Sequence, residues 1–180
     1  MKFARLSLAC VAMAAMLPAG IAQSHAAAPH PIASPPAQAS VTLNGKTVTI
    51  HYSAPSMRGR KIFGGLVPYG QVWRTGANAA TALTTPVDLM IDGTKIPAGS
   101  YTLFTLPNPN RWTLIVNSKT GEWGLAYDKA HDFARIPMEL TTLPSPQEKM
   151  SISFENTQGS RTELHIRWDT TDAWVPVQAK

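Results

Sequence analysis

Short segments in which apolar and polar residues alternate follow one another along most of the chain, with turn residues between them. They include VTLNGKTVTIHY, RWTLIVN, GEWGLAY, FARIPMEL, KMSISFEN, RTELHIRW and AWVPVQ. Alternation is typical of half-buried strands, and no stretch keeps the period of an amphipathic helix. About ten such segments, with a turn roughly every 8 to 12 residues, predict an all-β fold: a single-domain antiparallel β-sandwich of the jelly-roll or Ig-like type.

Two dipeptides mark the tightest turns of this pattern. Asn44-Gly45 and Asp92-Gly93 each separate two strand-like segments. Asn-Gly and Asp-Gly adopt the positive φ angles that a two-residue hairpin turn needs. Helical structure is expected only as a short turn, near Asp128 to Phe133.

The N-terminal region has the features of a secretory signal peptide. Two basic residues precede an apolar run over residues 6–22, and small residues suit cleavage after Ala22 or after Ala26. Pro18 interrupts the run, so it is not expected to span a membrane. We therefore predict a signal peptide over residues 1–26 and a periplasmic or secreted protein.

Residues 27–39 are rich in alanine and proline, which predicts a linker. The folded β-sandwich domain is then expected over residues 40–180. The only cysteine, Cys10, lies in the predicted signal peptide. The mature domain would have no disulfide, and its stability must come from a hydrophobic core.

Charge is distributed unevenly along the chain. Residues 27–87 contain five lysines and arginines but no aspartate or glutamate, and all 11 acidic residues lie from Asp88 to Asp172. The basic half could face an anionic ligand, or it could fold against the acidic half; in one compact domain we favour the second interpretation. The chain has a formal charge of +5, and loss of Lys2 and Arg5 with the signal peptide leaves 14 basic and 11 acidic residues, or +3. This excess is too small to indicate nucleic-acid binding.

The segment from Ser53 to Ala80 departs from the strand pattern and is predicted to be a long, ordered loop. It combines five glycines and three arginines with interspersed apolar residues. Guanidinium groups donate in a plane to carboxylates and phosphates, and glycines allow a ligand to approach the backbone. The loop could therefore be a recognition element, with Trp73 as a platform and Asn78 orienting a polar group. Alternatively, Arg58, Arg60 and Arg74 could fasten the loop to backbone carbonyls and to acids of the second half.

These residues resemble a known family. The stretch SMRGRKIFGGLVPYGQVWRTGANAATALTT, with IPAGSYTLFTLPN, WTLIVN and WGLAYD, is similar to domain of unknown function 2911, an uncharacterised secreted bacterial family. The resemblance covers Val41 to the C-terminus and implies export and a β-rich fold, but no activity. The positions that the family marks are, in this sequence, Arg58, Gly59, Arg60, Phe63, Gly64, Gly65, Trp73, Arg74, Gly76, Asn78, Thr81, Gly99, Tyr101 and Trp123.

The sequence contains no recognisable catalytic signature. The domain has three histidines, His51, His131 and His165, which are interpreted as surface residues rather than metal ligands. Carboxylate pairs such as Asp128 with Asp132, or Asp169 with Asp172, could serve as acid and base, but their surroundings are typical of turns and helix caps. No catalytic residue is assigned, and neither a metal nor another cofactor is expected.

Three classes of function remain. The leading one is an extracytoplasmic binding module that recognises a small anionic or sugar-like ligand, or an envelope component, through the Arg58–Asn78 loop. The alternatives are a secreted hydrolase with a carboxylate or histidine beside that loop, and a purely structural envelope domain. The sequence favours a non-enzymatic role and gives no oligomeric state. The candidate ligand-binding residues are Arg58, Arg60, Trp73, Arg74, Asn78 and Thr81.

Overall fold

A computed structural model describes residues 33–121 and 123–180 of the chain. The predicted signal peptide and most of the predicted linker lie outside these residues. The described part of the chain has no helix with the length and hydropathy needed to cross a membrane. Its strands are β1 (Pro36–Leu43), β2 (Lys46–Ser53), β3 (Thr81–Thr85), β4 (Leu89–Ile91), β5 (Thr94–Ile96), β6 (Gly99–Leu106), β7 (Trp112–Asn117), β8 (Asp132–Gln158) and β9 (Arg161–Ala179).

Every strand pairing is antiparallel, so the prediction of an all-β antiparallel fold is confirmed. Hydrogen bonds join the strands in one series, β1-β2-β3-β6-β7-β8-β9-β4-β5. The division into two packed sheets that a sandwich implies stays a prediction. β1 begins at Pro36, so the last four residues of the predicted linker, 36–39, belong to the sheet.

The two dipeptides that predict tight turns have the backbone angles expected of them. Asn44 and Gly45 have φ angles of 50° and 72°, and Asp92 and Gly93 have 42° and 75°. These values are those of a turn that only glycine and a few polar residues adopt readily. The expected helical turn is also present, as a 3-10 turn over Lys129–His131.

Two long strands replace four of the predicted short ones. β8 unites FARIPMEL with KMSISFEN, and β9 unites RTELHIRW with AWVPVQ. The register between them shifts from Thr142 to Gln147, and this irregularity accommodates the prolines at 144 and 146. The prediction of a strand at GEWGLAY is wrong: Trp123 pairs in isolation with Ala79, and the chain then makes a turn.

The core consists of the inward-facing residues of these strands. Met150, Trp112 and Trp168 are buried in it, as the alternation predicts, and Phe154 is partly buried against it. Phe104 is also buried, but outside this core, where its ring meets that of Tyr127 at 5.1 Å. The chain leaving β2 attaches to the middle of β8. Backbone bonds run from Met150 N to Pro55 O (2.9 Å) and from Met57 N to Glu148 O (2.8 Å). The long loop therefore starts alongside the middle of β8.

Candidate ligand-binding site

The loop between β2 and β3, residues 54–80, is anchored by its own apolar side chains. Ile62, Phe63 and Val67 are buried, whereas Leu66 and Tyr69 are exposed. The amide groups of Leu66 and Val67 donate to the carbonyls of Lys61 and Ile62, at 3.0 and 2.9 Å. The loop is thus ordered without a regular strand, as the interspersed apolar residues predict.

Trp73 fixes the second half of the loop to the core. Its ring stacks on Trp168 (centroids 5.9 Å apart, planes at 20°) and meets Phe63 and Trp112 edge to face at 6.0 and 6.3 Å. Its backbone exchanges two hydrogen bonds with Thr105, of 2.7 and 2.8 Å. Aromatic contacts of this kind stabilise beyond the area they bury. An anchoring role is therefore established for Trp73, while its role as a ligand platform stays a prediction.

Two of the candidate arginines are bonded to carbonyls of their own chain. Arg58 donates from Nη2 to Ala33 O at 3.2 Å. Arg60 donates from Nε to Met57 O at 2.9 Å and from Nη2 to Ser56 O at 2.7 Å. These bonds are the fastening to backbone carbonyls that the structural interpretation of the loop predicts.

The two candidate polar residues after the arginines also have internal partners. Asn78 has a φ of 59° and donates from Nδ2 to Ser34 O at 3.3 Å. Thr81 is buried and donates from Oγ1 to Thr75 O at 2.8 Å. Asn78 holds the segment before β1, and Thr81 closes the loop at the start of β3.

Arg74 differs from the other candidates. Within the described part of the chain its guanidinium makes no hydrogen bond and no ion pair, and its Nε atom is buried without a partner. A buried donor without a partner costs about 1–3 kcal/mol. Arg74 as a whole is partly exposed, and Nε is its only nitrogen that is buried without a partner. Its two terminal nitrogens are therefore in contact with solvent. Arg74 is therefore the one candidate arginine whose guanidinium group bonds no other group of the described residues.

Gly124 provides the surface on which Arg74 lies. A Cβ atom at position 124 would stand 2.0 Å from Arg74 Cδ and 2.5 Å from Asn78 O. Both distances are far below van der Waals contact. The turn after Trp123 thus passes close to the loop only because residue 124 has no side chain.

A cavity of about 360 Å³ opens beside this arginine, within the size range of sites for small organic molecules. Arg60, Trp73 and Arg74 line it, whereas Arg58, Asn78 and Thr81 do not. No aspartate, glutamate or histidine is among its lining residues in the described ranges. We call it the loop cavity. Its remaining lining residues are Ser34, Pro55, Leu66, Val67, Pro68, Gln71, Val72, Gly76, Ala77, Gly124, Leu125 and Trp168.

Neutralisation of the basic half by the acidic half is not seen. None of the cations Lys46, Arg58, Arg60, Lys61 and Arg74 forms an ion pair within residues 33–121 and 123–180. Within the described residues, ion pairs with acids are made by Lys95, Arg135 and Arg167, and all three pair with acids of the second half of the chain. The interpretation that favoured charge complementarity is wrong for these side chains: Arg58 and Arg60 bond carbonyls, and Arg74 has no partner among the described residues. The loop keeps its positive charge.

A separate polar cluster lies on β8 and β9, on the face opposite the core. His165 Nδ1 lies 2.9 Å from Asp172 Oδ1, and His165 Nε2 lies 3.2 Å from Glu163 Oε2. The surface interpretation of His165 is wrong: the residue is buried, with the Trp174 ring stacked on it at 5.8 Å. Because both ring nitrogens face carboxylates, neither is free for a substrate, which favours a structural role.

Arg167 joins this cluster to a further carboxylate. It bonds both carboxylate oxygens of Glu155, and its Nε donates to Asp172 Oδ2 at 2.8 Å. The Arg167 guanidinium is the main cause that lowers the pKa of Glu155 below its ordinary value of 4.5. A lowered pKa in the folded state means that ionised Glu155 stabilises the fold above pH 4.5. This contribution is lost as the pH falls through the folded-state pKa.

Glu155→Gln tests this contribution. We expect the substitution to lower the free energy of unfolding at pH 7 by up to about 1 kcal/mol, since the carboxylate is one-third exposed and partly screened. The difference from the wild type should be smaller at about pH 3 than at pH 7, because the unfolded chain protonates Glu155 below its ordinary pKa of 4.5 while the folded chain does so only at a lower pH. Urea unfolding at the two pH values measures it, with Glu139→Gln as an exposed control. A difference that did not change with pH would contradict the assignment.

A turn before β8 is stabilised by three of the remaining candidates: Asp128, His131 and Asp132. Asp128 caps the 3-10 turn by accepting from Ala130 N at 3.0 Å, and this bond is the main cause that lowers the pKa of Asp128. His131 Nδ1 lies 3.0 Å from Asp128 Oδ2. Asp132 accepts from Tyr127 and Arg135, at 2.6 Å each. The cap interpretation is confirmed for Asp128. No group of three potential metal ligands is found within the described residues.

Sequence reasoning missed several residues of the loop cavity. Gly124 and Leu125 come from a segment about 50 positions after Arg74 and were expected in a strand. Leu66 and Gln71 lie inside the loop, but nothing in their spacing distinguishes them. The glycine in WGLAYD was the available signal, since glycine in a strand-like segment indicates close backbone approach.

Fold and site together define an all-β domain with a basic cavity beside a long, anchored loop. The family model described as "Protein of unknown function (DUF2911)" matches residues 34–177, and the chain belongs to this family. The resemblance seen in the sequence motifs is thereby confirmed. Comparison with curated proteins and with solved structures gave no match.

Proposed function

We propose that this protein is a binding module that takes a small anionic ligand into the loop cavity, where Arg74 neutralises its charge. The observation that carries the proposal is the unpartnered guanidinium of Arg74 at the cavity wall. A cation that is held in place without a partner is costly for the fold, and an anionic ligand offsets that cost.

The lining residues support binding rather than hydrolysis. A hydrolase of the kind considered above needs an acid, a base or an activated nucleophile at the cavity. Its described lining supplies two arginines, one serine and one amide, and neither a carboxylate nor an imidazole. The charge pattern at the N-terminus, with basic residues before an apolar run, supports a site of action outside the cytoplasm.

The stability of Arg74→Met distinguishes the binding proposal from a purely structural role of the loop. Methionine keeps the length of the side chain and removes the buried donor. We expect a melting temperature equal to or higher than that of the wild type, because an unpaired buried polar atom is lost. A fall of several degrees would show that Arg74 is a structural latch and would contradict the proposal.

The same variant tests binding. The wild type, Arg74→Met and Arg111→Met are heated with and without panels of organic and inorganic anions, neutral sugars and divalent metals. Arg111 is the matched control because it is exposed and outside the loop cavity. A ligand at a hundredfold its Kd stabilises the native state by about 2.7 kcal/mol, which raises the melting temperature by roughly 5–10 °C. We expect an anion to do so for the wild type and Arg111→Met but not for Arg74→Met.

A further inference from the structure

The loop cavity holds one guanidinium group that has no hydrogen-bond partner within the described residues. Arg60 also lines it, but two of its nitrogens already donate to the carbonyls of Ser56 and Met57. Arg74 has no such bonds in the described part of the chain. Because the described lining contains no acidic group, an anionic head group can pair with Arg74 without meeting a like charge.

The cavity wall is mixed, with slightly more apolar than polar surface. Its largest apolar members are Leu66, Val67, Pro68, Val72, Trp73, Leu125 and Trp168. Gln71 contributes the only side-chain amide of the described lining. A sugar presents a hydroxyl group at nearly every carbon, and each one that loses water needs a partner. The wall therefore suits a ligand that has a polar head group and an apolar body better than it suits a sugar.

Apolar side chains also stand exposed where the cavity meets the solvent. Leu125 is 80% exposed and Leu66 is 47% exposed, although both line the cavity. Exposed apolar surface at the edge of a cavity is typical of ligand-binding grooves. An apolar chain that leaves Arg74 and crosses these two leucines would cover them.

We propose that the ligand is an amphipathic carboxylate, whose head group pairs with the terminal nitrogens of Arg74 and whose apolar chain lies on Leu66 and Leu125. This inference rests on the proposed function, and it adds the chemical class of the ligand. A carboxylate accepts two parallel bonds from a guanidinium. The apolar chain adds affinity in proportion to the area that it buries.

The test is a calorimetric titration of the folded protein with acetate, butyrate, hexanoate and octanoate, beside sulfate and octan-1-ol. We expect binding to tighten about twofold to fourfold for each added methylene until the chain passes Leu125, in line with the free energy of burying one methylene. Octanol, which has no charge, and sulfate, which has no apolar chain, should bind more weakly than octanoate.

Leu125→Ala separates the apolar contact from the charge. We expect it to weaken octanoate binding about threefold to tenfold and to leave acetate binding unchanged, since only the longer chain reaches position 125. Phe133→Ala is the matched control: Phe133 is similarly apolar and exposed, but it packs near Tyr101 and does not line the cavity.

The outcomes distinguish this inference from the proposed function. If sulfate or acetate binds as tightly as octanoate, and Arg74→Met abolishes that binding, the anion site stands and the amphipathic ligand is overturned. If Leu125→Ala and Phe133→Ala weaken octanoate binding equally, the proposed path of the ligand's apolar chain is overturned. If no anion in the series binds and Arg74→Met lowers the melting temperature, the proposed function fails as well.

Discussion

Trp168→Ala is expected to lower the free energy of unfolding by about 3–5 kcal/mol, the range for removing a fully buried large aromatic side chain. Trp168 is 1% exposed, stacks on Trp73 and donates from Nε1 to Glu148 O at 3.2 Å. The substitution removes the surface on which the loop rests as well as core volume. The loop should therefore loosen, and the thermal response to a cavity ligand should disappear with it.

Urea unfolding followed by tryptophan fluorescence and by circular dichroism measures this loss. Trp123→Ala is the control, because that side chain is 63% exposed and should change stability by no more than about 0.5 kcal/mol. Where Trp168→Ala is too unstable to purify, Trp168→Phe retains part of the ring contact and should show a smaller loss. A loss below about 1 kcal/mol in the alanine variant would mean that the aromatic side chains around Trp168 do not behave as a packed core.

Asp172→Ala should also be strongly destabilising, by about 3 kcal/mol. It removes the negative charge that Arg167 pairs with in a buried position, and breaking such a pair is costly. Asp172 is buried and accepts from Arg167 Nε at 2.8 Å, and it faces His165 Nδ1 at 2.9 Å. The partial exposure of Arg167 lets water replace some of the lost bond, so the effect should fall at the lower end of the usual range.

Chemical denaturation at pH 7 of Asp172→Ala and Asp172→Asn measures the effect. The asparagine variant keeps the shape and one acceptor, so it should lose less stability than the alanine variant. Glu139→Ala provides an exposed carboxylate on the neighbouring strand as a control. Equal losses in Asp172→Ala and Glu139→Ala would show that the cluster on β8 and β9 contributes nothing beyond an ordinary surface charge.

The all-β fold could be predicted because the turns are specified locally. Asn44-Gly45 and Asp92-Gly93 set positive φ angles without help from distant residues, and alternation then assigns the buried faces. The long strands could not be predicted. The prolines at 144 and 146 indicate a strand end, since proline cannot donate to a ladder. Pairing with β9 continues on either side of them through a register shift that only the folded sheet determines.

The candidate site could be predicted in part. The composition of the loop singled out Arg60, Trp73 and Arg74, which the fold brings to one cavity. It could not show that Arg58 and Asn78 are used to hold residues 33 and 34, because those bonds depend on where β1 begins. Nor could it show that His165 is buried, since Asp172 and Trp174 reach it only after the irregular backbone at Asp169.

The close approach of Gly124 to Arg74 links two segments that are far apart in the sequence. With the present backbone, any side chain at position 124 would occupy the space of the arginine and press on the carbonyl of Asn78. A chain that gains a side chain at 124 must therefore give up the arginine at 74 or move the turn away from the loop. Across the family, these two positions should covary: glycine at the first should accompany arginine at the second.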